Sequence, residues 1–190
     1  MSRGHVCQQC RHESAGGVLY FHANIMVLVD LLEESYLSRP RNHPREMVVP
    51  ANVAILLFFC TLKEALFEHF LRQLFTSLSL SRSLQKKLLS DNRLFHQKLK
   101  SLFPALIEND WSTALVNASA LCGQDFSMLD SVLTSSAQVR NKFLHNASAW
   151  EISAELADTC VDSIANLFVL FVALHNHYVH REWARAQPMV

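Results

Sequence analysis

Pro50-Ala-Asn-Val-Ala-Ile-Leu-Leu-Phe-Phe-Cys-Thr-Leu-Lys-Glu-Ala-Leu-Phe-Glu-His-Phe-Leu-Arg72 is the stretch that decides the fold. Proline suits the first position of a helix, where its missing N–H would have had no partner. From there to about Leu78 no glycine or further proline interrupts the chain, so one long helix is predicted over Pro50–Leu78. Its first half, Val53 to Phe59, is apolar all round and belongs in the middle of a bundle. Its second half is amphipathic. Glu64 and Glu68 lie one turn apart, as do Glu68 and Arg72. Two readings stay open: a surface ladder of ion pairs, or a carboxylate held beside a functional arginine elsewhere.

The 190-residue chain is long enough for one domain with a real core, and half of it is hydrophobic. Only four glycines and five prolines occur, which fits long helices better than a turn-rich β fold. Formal net charge is zero, so the global electrostatic footprint of a nucleic-acid coat protein is excluded, and any nucleic-acid contact must be local. Five cysteines, at positions 7, 10, 60, 122 and 160, suit reduced, buried thiols better than a disulfide framework. The start of the chain, with His5, Cys7, Cys10, Arg11, His12 and Glu13 ahead of any apolar run, is not expected to act as a secretory signal. The stretches Met47–Leu62 and Ser163–His180 lack Asp, Glu, Lys and Arg but are too short or too interrupted for a membrane span. A soluble, cytoplasmic protein is expected, with no membrane partner.

Residues 1–17 read as a flexible tail or a metal-binding one. His5-x-Cys7-x-x-Cys10-x-His12 offers ligands, but no second Cys-x-x-Cys pair follows to close a structural zinc site. A first helix is predicted from Val18 to Leu37, ended by the two prolines of Ser38-Arg-Pro-Arg-Asn-His-Pro-Arg45. After the long helix, Arg82, Lys86, Lys87, Arg93, Lys98 and Lys100 face Asp91 alone, beside an apolar face broken near Ser90-Asp-Asn92. Such a segment is a local basic patch for RNA or a solvated helix face. A short helix is predicted from Trp111 to Leu121, stopped by Gly123, and another begins near Ser127. A long last helix is predicted from Trp150 to about Trp183, opened by a Ser148-x-x-Glu151 capping box. Its acidic residues Glu151, Glu155, Asp158 and Asp162 are a solvated face or a partner for the basic patch, and no metal site is expected among them or at His175, His177 and His180.

The chemistry concentrates in Gln138-Val-Arg140-Asn141-Lys142-Phe-Leu-His145. Asn141 and His145 share a helix face, and Arg140 sits about 100° round from Asn141. At a fraying helix end all three can converge on one anion. Arginine offers a fixed fork of donors to phosphate, and histidine exchanges a proton near neutral pH. No glycine-rich phosphate loop and no Gly-x-Ser-x-Gly elbow occurs.

Arg140-Asn141-Lys-Phe-Leu-His145 resembles the hallmark of the HEPN (higher eukaryote and prokaryote nucleotide-binding) domains. So does the order of elements around it: an early apolar helix with Leu62-Lys-Glu64-Ala-Leu-Phe-Glu68, the motif late in a later helix, and a long final helix. The resemblance spans residues 18–185. It implies an all-α bundle of about five helices and a metal-independent endoribonuclease with no cofactor, in a toxin–antitoxin, antiphage or RNA-processing setting. It further implies a homodimer in which two motifs face one cleft, and an antitoxin or regulatory protein as a further partner. On that account His145 exchanges the proton, Arg140 stabilises the charged phosphorane and Asn141 orients one or the other. Glu64 and Glu68 would support the site, and Lys142, Arg82, Lys86 and Lys87 would bind RNA. Some members carry a tyrosine two positions after the histidine that a partner nucleotidyltransferase modifies. Here that position is Ala147. Divergent members keep only binding, so a non-catalytic RNA- or nucleotide-binding regulator is the alternative, and a plain helical adaptor the third.

Overall fold

Every described residue that belongs to a regular element is helical, as the composition implied. The computed structural model describes residues 23–40, 45–147, 149 and 151–179. The cysteine-bearing tail, the start of the first predicted helix, part of the two-proline connection, Ser148, Trp150 and the end of the last predicted helix lie outside them.

The helices are α1 (Ala23–Leu37), α2 (Arg45–Ser77), α3 (Arg82–Asp91), α4 (Phe95–Gln97), a π-helical turn (Lys98–Leu102), α5 (Phe103–Ile107), α6 (Trp111–Cys122), α7 (Ser127–Asn146), α8 (Ala154–Asp162) and α9 (Ile164–Tyr178). These elements are more numerous than the five or so helices expected, although α2, at 33 residues, is longer than predicted. Pro50 does not open α2; it lies exposed in the second turn, with only Arg45–Val49 ahead of it. A proline so near the start disturbs little downstream backbone. The single last helix predicted from Trp150 is two, parted at Ser163. The cap of α8 is Ser153, whose hydroxyl accepts the backbone N–H of Leu156 at 3.1 Å. Glu151 instead accepts two hydrogen bonds from Lys142. Punctuation elsewhere follows ordinary chemistry: Asp110 caps α6, and Gly123 ends it with φ of 65°.

Two compact units result, and α2 contributes to both. One comprises residues 67–126 and 169–179. It is built around Phe67, whose ring lies 5.3 Å from Phe95, 5.7 Å from Phe103, 5.9 Å from Trp111 and 6.4 Å from Phe171. Tilted and edge-on ring pairs of this kind add to the burial of large apolar surface. The other comprises residues 23–66 and 127–168, with Leu32, Ile55, Leu56, Phe59, Leu62, Ala157 and Cys160 fully buried. Within this second unit Arg39 pairs with Asp158 and lies 5.0 Å over the ring of Tyr36.

The segment Val49–Ser77 is long and apolar enough to cross a membrane, with a mean hydropathy of 1.6. The uncharged stretch in the sequence was shorter because Lys63 and Glu64 interrupt it. Of its most apolar window 44% is buried inside the protein.

Candidate functional site

Helix α7 carries the Arg-Asn…His motif, and its first half explains where the motif points. Leu129, Leu133 and Ser136 are buried, so their face is the one turned inward. Arg140 lies seven residues beyond Leu133, about two turns further along the same face. It therefore turns toward α2. Its Nη1 donates to Glu64 Oε1 at 2.7 Å, and only 19% of its side chain is exposed. Its Nε donates to Asn141 Oδ1 at 3.3 Å.

The convergence expected at a fraying helix end is not found at Arg140. The helix continues to Asn146 and stops at Ala147, whose φ is 50°. Asn141 touches Arg140, but His145 is exposed on the next turn and makes no hydrogen bond to either among the described residues. The chain thus brings together Arg140, Asn141 and Glu64, and leaves His145 facing outward.

Of the two expected supporting carboxylates, only Glu64 meets the motif. Glu68 belongs to the other compact unit, where it accepts from Lys98 at 2.6 Å and from Arg72 at 2.7 Å. The ladder and the held arginine are thus both realised, on adjacent turns. Of the expected RNA-binding side chains, Lys142 is exposed and paired with Glu151 at 2.8 Å. Arg82, Lys86 and Lys87 are exposed on α3, a helix with no buried residue. That helix lies in the unit without the motif.

Beneath Arg140 runs a polar seam that the sequence reading missed. Cys60, Lys63 and Glu64, at helical spacing on α2, meet Ser136, Leu133 and Arg140 on α7. Cys60 is hydrogen-bonded to Ser136, which is fully buried. Lys63 is 3% exposed, and its Nζ donates to the Leu133 carbonyl at 3.2 Å. That carbonyl also accepts the Ser136 hydroxyl at 3.3 Å. Burial lowers the pKa of Lys63, against the opposing pull of Cys60 and Glu64. Burial raises the Cys60 thiol despite Lys63 and Arg140, and pushes Cys160 up to about 12. Both thiols therefore stay protonated and poorly nucleophilic. A helical wheel could have found Lys63, because the positions three and four away on either side, Phe59, Cys60, Leu66 and Phe67, are all buried.

Among the described residues no group of three or more His, Cys, Asp or Glu is placed to hold a metal ion. The site can present one preorganised guanidinium, its neighbouring amide and one exposed imidazole. No family model, curated protein or solved structure matches the chain.

Proposed function

We propose that this chain is a HEPN-type, metal-independent endoribonuclease acting in the cytoplasm. The observation that carries the reading is the held arginine: Arg140 is fixed by Glu64 and touched by Asn141, one turn before an exposed His145. Preorganised donors of this kind act on charge that develops in a transition state. In the reaction the ribose 2′-oxygen bonds to the adjacent phosphorus and gives its proton to a histidine. The 5′-oxygen then leaves with a proton from a second acid, which yields a 2′,3′-cyclic phosphate end. Arg140 faces the phosphorane oxygens.

One His145 per chain cannot take and give protons in the same step. A two-fold dimer that brings two motifs to one phosphate supplies both, with Leu144, 60% exposed beside His145, at the interface. Lys142 and the basic face of α3 are the proposed RNA contacts, and an antitoxin or regulatory protein the proposed further partner, in a toxin–antitoxin, antiphage or RNA-processing setting.

A second reading, a non-catalytic RNA- or nucleotide-binding regulator, draws on the same ion pair, since a guanidinium already neutralised by Glu64 has less charge to offer phosphate. RNA incubated with the protein and EDTA separates them. Cleavage to cyclic-phosphate ends, abolished by His145→Ala, supports the nuclease; binding without cleavage supports the regulator.

A further inference from the structure

Lys63 is the one buried lysine among the described residues, and it lies on the face of α2 that meets the motif helix. Its neighbour in sequence, Glu64, holds Arg140; Lys63 itself holds the carbonyl of Leu133, two turns earlier on the same helix. Consecutive residues of α2 therefore grip α7 at two points. The outer grip is weak by itself. Glu64 and Arg140 are 34% and 19% exposed, and partly exposed ion pairs are worth little because water and side-chain entropy compete. The inner grip is the buried one, reinforced by Ser136 on the same carbonyl.

We propose that Lys63 is a positioning residue for Arg140: its buried ammonium fixes the rotation and height of α7 against α2, so that the guanidinium reaches Glu64 in one orientation. The inference rests on the reading of Arg140 as the phosphate-facing group.

Stability alone does not explain Lys63. Burying an ammonium costs desolvation, and an apolar side chain of similar volume commonly folds as well or better. Without Lys63 the Leu133 carbonyl would still accept the Ser136 hydroxyl. What an apolar replacement cannot do is tie a chosen point of α7 to a chosen point of α2. Apolar faces slide and rotate at little cost, whereas an ammonium aimed at one carbonyl does not. The charged and titratable groups around Lys63 are Cys60, Glu64, Arg140 and Cys160. Glu64 is the only carboxylate among them, and Arg140 already occupies it.

The test uses the full-length protein with labelled arginine, comparing wild type, Lys63→Met, Lys63→Gln and Glu64→Gln. The side-chain Nε–H resonance of Arg140, identified by its loss in Arg140→Lys, reads whether the guanidinium is held in one orientation. Wild type should give one sharp, slowly exchanging signal. In Lys63→Met it should broaden toward that of Glu64→Gln, while the melting temperature stays equal or rises. RNA cleavage should fall roughly ten- to a hundredfold, the scale of a small misplacement of a reacting group. An unchanged Arg140 signal in Lys63→Met would overturn the proposal. Unfolding of both Lys63 variants would overturn it too, since Lys63 would then be needed for the fold itself. If wild type cleaves no RNA yet its Arg140 signal depends on Lys63, the positioning role stands and the nuclease reading fails alone.

Discussion

Glu64 Oε1 and Arg140 Nη1 meet at 2.7 Å although 76 residues separate them along the chain. The carboxylate orients the guanidinium and neutralises part of its charge. On the proposed reading it thereby sets how much positive charge remains for a phosphate.

Glu64→Gln tests both. The amide keeps the shape and one acceptor but loses the charge, so stability should fall by less than about 1 kcal/mol, as for other partly exposed pairs. Cleavage should fall further than stability does. Arg140→Lys keeps the charge and loses the fork, at a cost of about 2–4 kcal/mol in transition-state stabilisation. Single-turnover cleavage alongside thermal melts gives both numbers for each variant.

His145→Ala should leave the fold alone, because the side chain is exposed and outside the core, with a stability change within about 0.5 kcal/mol. RNA affinity should be nearly intact. Cleavage should drop by roughly 10²–10⁴, the usual contribution of a positioned acid or base. A variant that cleaves at the wild-type rate would remove His145 from the chemistry.

Leu144→Glu addresses assembly. An isologous interface places the same residue on both sides, so one substitution introduces two like charges. Light scattering at micromolar concentration should show dimer for wild type and monomer for the variant, and the monomer should not cleave. A monomeric wild type that cleaves RNA would refute the pairing.

Glu68 governs a pH dependence in the unit built around Phe67. Burial pushes its carboxyl up, but hydrogen bonds and charge from Lys98 and Arg72 outweigh that and hold it below the usual carboxylate range. The folded protein therefore binds this proton more weakly than the unfolded chain. The stabilisation is full above the ordinary carboxylate value and is lost as pH falls through the folded one. Lys98→Met should flatten the acid limb of a melting-temperature profile; an unchanged limb would show that other carboxylates control it.

Phe103 is fully buried against the rings of Phe67, Phe70, Trp111 and Tyr178. Phe103→Ala should cost about 3–5 kcal/mol in denaturant unfolding, through lost transfer energy and the cavity left behind. Leu84→Ala, on the exposed face of α3, should cost far less.

The sequence was most readable where a local signal dominates. Val53 to Phe59 announced a helix apolar all round, of which Ile55, Leu56 and Phe59 are buried and the other four residues half-buried; Gly123 announced a stop and Ser127 a start, and both stand. Breaks without a breaker were not readable. Nothing at Ser163 forbids a helix, and the apolar spacing of Cys160, Ile164 and Leu167 continues across it, so tertiary packing alone decides the division of α8 from α9. The π-helical turn at Lys98–Leu102 does have a breaker beside it: Pro104 cannot donate to the carbonyl of Lys100, four residues back, and the helical register shifts there. At the site, the partnership of Glu64 with Arg140 was one of two open readings, because only the fold settles which turn of α2 faces α7. The charge of Lys63 suggests solvent, whereas its buried neighbours on the wheel place it in the interior.

The distance in sequence between α2 and α7 also sets a timetable for synthesis. At roughly 5–20 residues per second, a ribosome that has made Glu64 needs about 4–15 seconds to reach Arg140, 76 residues on. For most of that interval Cys60 and Lys63 are in the nascent chain while Leu133 and Ser136, their later neighbours across the seam, do not yet exist. A strongly apolar helix waiting that long is an early client for chaperones. A chain truncated by stalled translation before α7 would carry the α2 side of the seam and none of its α7 side.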